Sequence, residues 1–297
     1  MTTATGNFAE LLWPGLKETF GVDYKRYKPI WSRVLRTIKS DKAFEKFQGL
    51  TGLGTVGIKD EGGSIVYVDP LQGYQKEAVN VTYGLGVNIT REMMEDEQYN
   101  FINRVPSMLA ESMRQTEEII GALPFNNGFS SATTADGVAF FASTHPNVGG
   151  GTQSNIPSVA TDLSQAALES AHTDIENWLD DRSLKIMVQP KKLLVAPANR
   201  WVAEKILKTT KEVGNNDNTI NPMSGIVELI VNPFLTDPDA WFLITDKTGG
   251  EAAFIRRRAT EYAKDNDFDS ENLKSKVTSR FTVTQIDWRF AWASAGA

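Results

Sequence analysis

Most catalytic and metal centres are built from histidine, cysteine or closely placed acids, and this chain has two histidines and no cysteine. His145 stands before Pro146, and His172 lies in a helical pattern. Neither falls in an HExxH or nucleophile-elbow arrangement, and a metal set needs several His, Asp or Glu side chains converging. The plainer reading of His145 is therefore structural. Asp180 and Asp181 suggest an acid–base pair, but neighbouring residues point in different directions, and this pair closes a helical run. The run Arg256-Arg257-Arg258 could meet phosphate. Glu261, Asp265, Asp267, Asp269 and Glu271 follow it closely, so local charge pairing or a solvated face is favoured. Gly49, Gly52, Gly54 and Gly57 precede a strand pattern rather than a helix, and no GxxxxGK[ST] occurs, so they make no phosphate loop. We therefore assign no catalytic, cofactor-binding or metal residue and no cofactor. An enzyme built from scattered acids without a cofactor is kept as an alternative.

Composition narrows the classes further. With 297 residues, 41% hydrophobic and 10% aromatic, the chain can bury a substantial core in one elaborate domain or two. A net charge of −6 argues against a dedicated nucleic-acid binder, which needs a basic footprint. Local basic patches, Lys25–Lys39 and Arg256–Arg258, keep a DNA-binding reading as a third class. Without cysteine, stability has to come from packing and association. The start MTTATGNFAELLWPG has no basic n-region or long apolar core, and no 18-residue apolar run occurs, so neither a secretory signal nor a membrane span is expected. A soluble, cytoplasmically made protein follows.

The elements are organised around the stretch Thr90–Leu123. Tyr99, Ile102, Val105, Leu109, Met113, Ile119 and Leu123 recur at helical spacing and predict one long amphipathic helix. Thr90 supplies an N-terminal cap with acids behind it. Pro106 predicts two pieces, a kink or a fresh start near Asn103. Before this helix, Phe8, Leu11, Leu12, Leu16 and Phe20 form a stripe broken at Trp13-Pro14-Gly15, followed by the aromatic and basic Tyr24–Ile38, either a solvated face or an arm lying on another subunit. From Gly49 the chain becomes glycine-rich and alternating, with Asp60-Glu61-Gly62-Gly63 as the turn between strands Thr55–Lys59 and Ser64–Asp69, then a strand Ala78–Ile89. A two-stranded ribbon is marginal alone in water, so it should rest on something, with another molecule as the candidate.

After the helix, residues 124–160 are loop-rich, and Phe140 and Phe141 anchor them. Thr161–Asp180 is helical, with Leu163, Ala167, Leu168, Ala171, Ile175, Trp178 and Leu179 on one face. Leu184–Gln189 and Lys192–Ala196 read as strands, and a helix of about 14 residues opens at Pro197-Ala198-Asn199, with Trp201, Val202, Ile206 and Leu207 apolar, and continues to about Lys211. Val227–Asn232 and Trp241–Thr245 add strands, and Val277–Trp288 is a long closing strand extended by Arg289–Ala293 that returns to the first part of the chain.

The order of these parts resembles tailed-phage major capsid proteins of the Hong Kong 97 fold, especially the Mu-like major head subunit. The phrases that carry it are VTYGLGVNITREMMEDEQY, NRVPSMLAESMRQTEE, DGVAFFASTHPNVGGGTQSN, KKLLVAPANRWVAEKIL and RFTVTQIDWRFAW, which span nearly the whole chain. The resemblance implies an α+β fold with an N-arm at 1–48, an extended hairpin or E-loop at 49–80, and a P-domain at 81–182 and 245–297 holding the spine helix. An α/β A-domain is implied at 183–244, with the Gly214–Pro222 loop at a symmetry axis. It further implies hexameric and pentameric capsomers closing into an icosahedral shell around double-stranded DNA, assembled in a host bacterial cytoplasm and residing in the virion. No long helical extension is seen before the arm, so a fused scaffolding domain is not expected, and a separate scaffolding protein, or prior removal of an extension, would supply that role. A portal and decoration proteins would be further partners, with DNA held weakly and no membrane involved. An encapsulin-like compartment is the runner-up within the same fold.

Overall fold

The computed structural model describes residues 9–96, 101–211, 220–247, 252–267 and 271–297. In order these form α1 (Ala9–Lys25), α2 (Trp31–Val34), β1 (Arg36–Lys39), β2 (Phe44–Leu50), β3 (Gln72–Val79), β4 (Val81–Ile89), α3 (Arg91–Glu95) and α4 (Phe101–Asn126). Then come β5 (His145–Pro146), β6 (Thr152–Gln153), α5 (Gln165–Glu176), β7 (Pro190–Val195), α6 (Arg200–Lys208), β8 (Glu228–Val231), β9 (Trp241–Thr245), β10 (Ala252–Asn266), β11 (Leu273–Gln285) and β12 (Ala291–Ser294). Two four-stranded sheets result, ordered β1-β10-β11-β4 and β12-β9-β7-β8. Both mix parallel and antiparallel pairs: β1 runs parallel to β10 and β7 to β8.

Helix α4 lies on the first sheet. Val105, Leu109, Met113 and Phe125 share one buried cluster with Phe254, Val277 and Phe281. The second sheet is covered on both faces, which is why LLV and WFLIT are unbroken apolar runs. Leu194, Phe242 and Ile244 belong to the α4 core, whereas Leu193, Trp241 and Leu243 pack with Leu168 and Ile175 of α5 and Ile206 of α6.

The long helix is present, but its details differ from the expected ones. Thr90 does cap, accepting a hydrogen bond from the Met93 amide at 3.3 Å. Helix α3 ends at Glu95 with Asp96 as its cap, and Pro106 lies inside α4 without ending it. Proline there removes one intrahelical hydrogen bond. Tyr99 and the rest of 97–100 lie outside the described residues. In its second half the buried face runs through Glu117, Glu118, Ala122 and Phe125, while Ile119 and Leu123 are exposed, against the apolar stripe expected.

Those two acids hold the N-terminal segment. Tyr24 Oη donates to Glu117 Oε1 at 2.6 Å, Thr260 Oγ1 to the same oxygen at 3.1 Å, and Arg256 Nη2 to Oε2 at 2.9 Å. Glu118 accepts from the backbone amides of Ile30 at 2.7 Å and Trp31 at 3.2 Å, satisfying donors at the start of α2. Burial, then the nearby Glu117 charge, pushes the Tyr24 hydroxyl up. Burial also raises the Glu118 carboxyl despite its two amide donors. For Arg256 burial acts downward, but Glu117 and Tyr24 together outweigh it and the net shift is up. Trp31 stacks on Phe254 at 3.9 Å between centroids. Gly121 makes that approach possible, since a Cβ there would sit 2.5 Å from Trp31 Cβ.

Other expectations are corrected by packing. Helix α1 continues through Trp13-Pro14-Gly15 without a break. The hairpin ladder is β2 with β3, nearer the body than the strands expected at Thr55–Lys59 and Ser64–Asp69, where only the Asp60–Gly63 turn remains, closed at 3.0 Å. Ala78–Ile89 divides at Asn80, whose side chain donates to Ser40 Oγ and the Lys42 carbonyl. Leu184–Gln189 forms no strand. The helix expected from Pro197 to about Lys211 is a short 3-10 turn plus α6, and Trp201 and Val202 face outward. The closing strand spans Leu273–Gln285, and a turn at Trp288–Phe290 then carries β12 into the second sheet instead of extending the first. Of the Gly214–Pro222 loop, residues 214–219 lie outside the described residues.

Two outcomes test this packing. Leu109→Asp should unfold the subunit, since an uncompensated buried charge costs several kcal/mol; an unchanged melting temperature would show that this face is not core. Glu117→Ala should cost about 3–5 kcal/mol by leaving Arg256 unpaired, and the double change Glu117→Leu/Arg256→Met should recover most of it in denaturant titrations.

Candidate functional site

The chemistry-bearing residues are placed individually and occupied individually. His145 is fully buried, with its ring stacked on Trp288 at 4.8 Å. Its Nδ1 lies 2.7 Å from Asp136 Oδ2 and its Nε2 lies 3.2 Å from Asn155 Oδ1. The Asn155 amide in turn donates to the carbonyls of Phe140 at 2.7 Å and Ala291 at 3.0 Å. Both ring nitrogens are therefore engaged, and the group staples the 136–155 loop to the closing segment. Burial acts upward on the Asp136 carboxyl, but hydrogen bonds from His145, Thr134 and the Val138 amide outweigh it, and the net shift is downward.

The remaining candidates separate. His172 sits on α5 with Glu176 3.5 Å away and shares no partner with His145. Asp180 accepts from the amides of Arg182 and Leu184, both at 2.8 Å, and so builds a turn, whereas Asp181 pairs with Arg289 at 3.1 Å. Within the arginine run, Arg256 is committed to Glu117 and Arg258 lies opposite Arg280 on the outer face of the sheet. From the basic N-terminal stretch, Arg33 pairs with Glu228 at 2.6 Å. Among the described residues no group of three His, Cys, Asp or Glu is arranged to hold a metal, and no helix is long and apolar enough to cross a membrane.

A cleft of about 170 Å³ runs between the hairpin base and the body, lined by Phe47, Tyr74, Asp136, Asp181, Asp287 and Arg289 among others. Its acids are all engaged: Asp136 with His145, Asp181 with Arg289, and Asp287 with Lys247. His145 is not in its wall. The cleft is a seam along which the hairpin meets the body.

That seam is pinned at several points. Lys76 Nζ donates to the Thr133 carbonyl at 2.7 Å, and burial pulls its ammonium down, with Asp136 acting the other way. Arg182 Nη2 donates to the Asp69 carbonyl at 2.8 Å, and Phe47 and Ala78 pack with Ala253 and Ile255. Beyond Thr51 and Leu71 no ladder continues. Val56 and Ile58 are each 99% exposed, Val66 81% and Tyr67 92%. Bare apolar side chains also occur singly elsewhere, such as Met187 and Val159, but several gathered on one projecting segment mark a place where another molecule sits. The sequence located this segment, whereas the pins at Lys76 and Arg182 carried no sequence signal.

Comparison with known proteins matches this geometry to shells. A family model described as phage capsid protein matches residues 74–294. A structure from Microbacterium phage Oxtober96 superposes with a TM-score of 0.59 at 10% identity, covering 91% of this chain and 92% of that one. The capsid of bacteriophage JBD30 decorated with minor capsid protein trimers gives 0.58 at 14% identity, over 71% of this chain and 92% of that one. The holo-SrpI encapsulin complex from Synechococcus elongatus PCC 7942 gives 0.53 at 8% identity, over 91% and 88%. Among curated proteins no sequence matches.

The stapled loop yields a pH test. A carboxyl held lower in the folded than the unfolded state contributes stability that is complete above its unfolded pKa and is lost as pH falls through its folded value. Asp136→Asn should therefore be less stable at neutral pH and show a shallower acid-side slope in stability against pH. Parallel curves for parent and variant would show that Asp136 contributes nothing to acid sensitivity.

Proposed function

The chain belongs to the phage capsid protein family, and from that premise we propose how it builds a shell and with whom. It is a structural protein, the major capsid subunit of a tailed phage, with the Hong Kong 97 fold. Its place is the virion capsid. Within the family we assign it to the Mu-like head subunits on the sequence phrases quoted above. Residues 1–48 serve as the N-arm, 49–80 as the E-loop, 81–182 and 245–297 as the P-domain, and 183–244 as the A-domain. Copies associate as hexamers and pentamers that close into an icosahedral shell around double-stranded DNA, after assembly in the bacterial cytoplasm. A separate scaffolding protein and a portal complete the assembly, and decoration proteins add to its outside.

The observation that supports self-assembly best is the hairpin itself. From Thr51 to Leu71 it has no ladder beyond its base, and its apolar side chains are bare. Specific stable contacts bury about 1,200–2,000 Å² in all, and a projecting apolar segment of this length supplies much of one side of such a contact. Heterologous contacts of this kind close as rings when their rotation permits. The encapsulin superposition reflects a shared fold, and the cargo it houses would be a protein; neighbouring genes for a portal and terminase, as opposed to a cargo enzyme, separate the two.

Deleting Thr55–Asp69 should leave the subunit folded, with parent-like circular dichroism, and abolish stable shells in negative-stain micrographs of cells that co-express the scaffold. Shells of ordinary yield and stability from the deleted chain would remove the hairpin from the assembly role.

A further inference from the structure

We infer that His145 is a buried cation, protonated on both ring nitrogens, and that its charge locks the 133–155 loop to the body until rising pH removes it. The inference stands apart from the shell reading.

Its basis is that the ring faces two acceptors. Nδ1 lies 2.7 Å from Asp136 Oδ2, and Nε2 lies 3.2 Å from Asn155 Oδ1. A neutral imidazole has a single N–H and could satisfy only one of them. The Asn155 amide is fixed, because its Nδ2 lies among the carbonyls of Phe140, Ala291 and Trp288 at 2.7, 3.0 and 3.3 Å, while its Oδ1 also accepts from the Ala142 amide at 2.9 Å. Turned over, it would set an oxygen against three carbonyls. Turning the imidazole instead would set ring carbons against both oxygens. On the Asp136 side, Oδ1 already accepts from the Val138 amide at 3.0 Å and from Thr134 Oγ1. The proton between Asp136 and the ring sits on the ring, since a carboxyl held below its usual value is a far weaker base than imidazole.

Other charges nearby decide whether a second proton can stay. Full burial acts against it, as does Lys76 of β3, which is bonded to Thr133 and faces Asp136. Arg289 lies 4.5 Å from the Trp288 ring centroid, but Asp181 at 3.1 Å and Asp287 at 3.7 Å match its charge, and Asp287 also meets Lys247. For the cation stand the Asp136 carboxylate in direct contact and the face of Trp288, stacked at 4.8 Å. Without the second proton, Nε2 and Asn155 Oδ1 would oppose lone pair to lone pair in a fully buried place.

The loop so held is a junction. The Thr133 carbonyl receives Lys76 of the hairpin base at 2.7 Å and Gln285 of β11 at 2.8 Å, and the Ala135 amide donates to the Ile286 carbonyl at 3.1 Å. Thr134, Asp136 and Pro146 line the cleft facing the hairpin base. A group that keeps in the folded state a proton the unfolded chain releases contributes stability that is complete at low pH, where both states hold it, and is lost as pH rises.

With only two histidines in the chain, ring spectra of 15N-histidine-labelled protein read the charge directly, and His172→Gln removes the other signal. At neutral pH both His145 nitrogens should carry a proton, and Asp136→Asn should leave one bare. As pH rises past loss of the second proton, hydrogen exchange of amides 72–79 and 133–142, corrected for its intrinsic pH dependence, should quicken by at least about tenfold, and His145→Gln should abolish that step. A bare His145 nitrogen in the parent at neutral pH would overturn the cation. A ring still doubly protonated in Asp136→Asn would overturn its pairing with that acid. A deprotonation that leaves exchange in both segments unchanged would overturn the lock, and the parent spectra decide the charge even where a variant fails to fold.

Discussion

Everything else in the subunit is positioned by the contact of α4 with β10 and β11. Val105, Leu109, Met113 and Phe125 meet Phe254, Val277 and Phe281 in one buried cluster. A 26-residue helix spans roughly 39 Å, so this contact holds a long sheet and a long helix together as one stiff plate. Burial of several large side chains at about 1.5–3 kcal/mol each makes it the main source of stability in the body. The N-terminal segment then docks through Glu117 and Glu118 of the same helix, so its position depends on that plate.

A stiff plate makes the hairpin meaningful. β2 and β3 are fixed at their base by Lys76, Arg182 and the small cluster around Phe47 and Ala78. Past those pins the backbone forms no ladder, only the Asp60–Gly63 turn, and each residue outside it keeps its conformational entropy of about 1–2 kcal/mol until something orders it. Ordering by a neighbour couples folding of the segment to association. Association that orders the hairpin depends on the concentration of subunits, which gives assembly the same dependence.

The sequence carried the order of elements well, because hydrophobic period and turn residues act locally. Strands β7 and β9 are readable as continuous apolar runs, and the Asp60–Gly63 turn by its residue types. What escapes such a reading depends on distant partners. Glu117 and Glu118 look like solvent residues until Tyr24, Ile30 and Arg256 come to meet them. Ile119 and Leu123 look like core until those acids take the inward positions. Ser64–Asp69 has the composition of a strand, but a ladder needs a second strand, and none of the described residues supplies one there. Pro106 looks like a break by residue type, whereas α4 runs through it because Val105, Leu109 and Met113 pack the helix on the core on either side.

The same dependence governs how the reactive side chains among the described residues are used. A catalytic centre keeps at least one reactive group uncommitted, poised toward a space where a substrate fits. Here His145, Asp181 and Asp287 each have partners, and Arg256 is held against Glu117. Their interactions staple loops to strands, which is what a subunit bearing load across many contacts requires. The uncommitted groups are of another kind, bare apolar side chains gathered on the hairpin, and such side chains are satisfied by protein surface rather than by a small molecule.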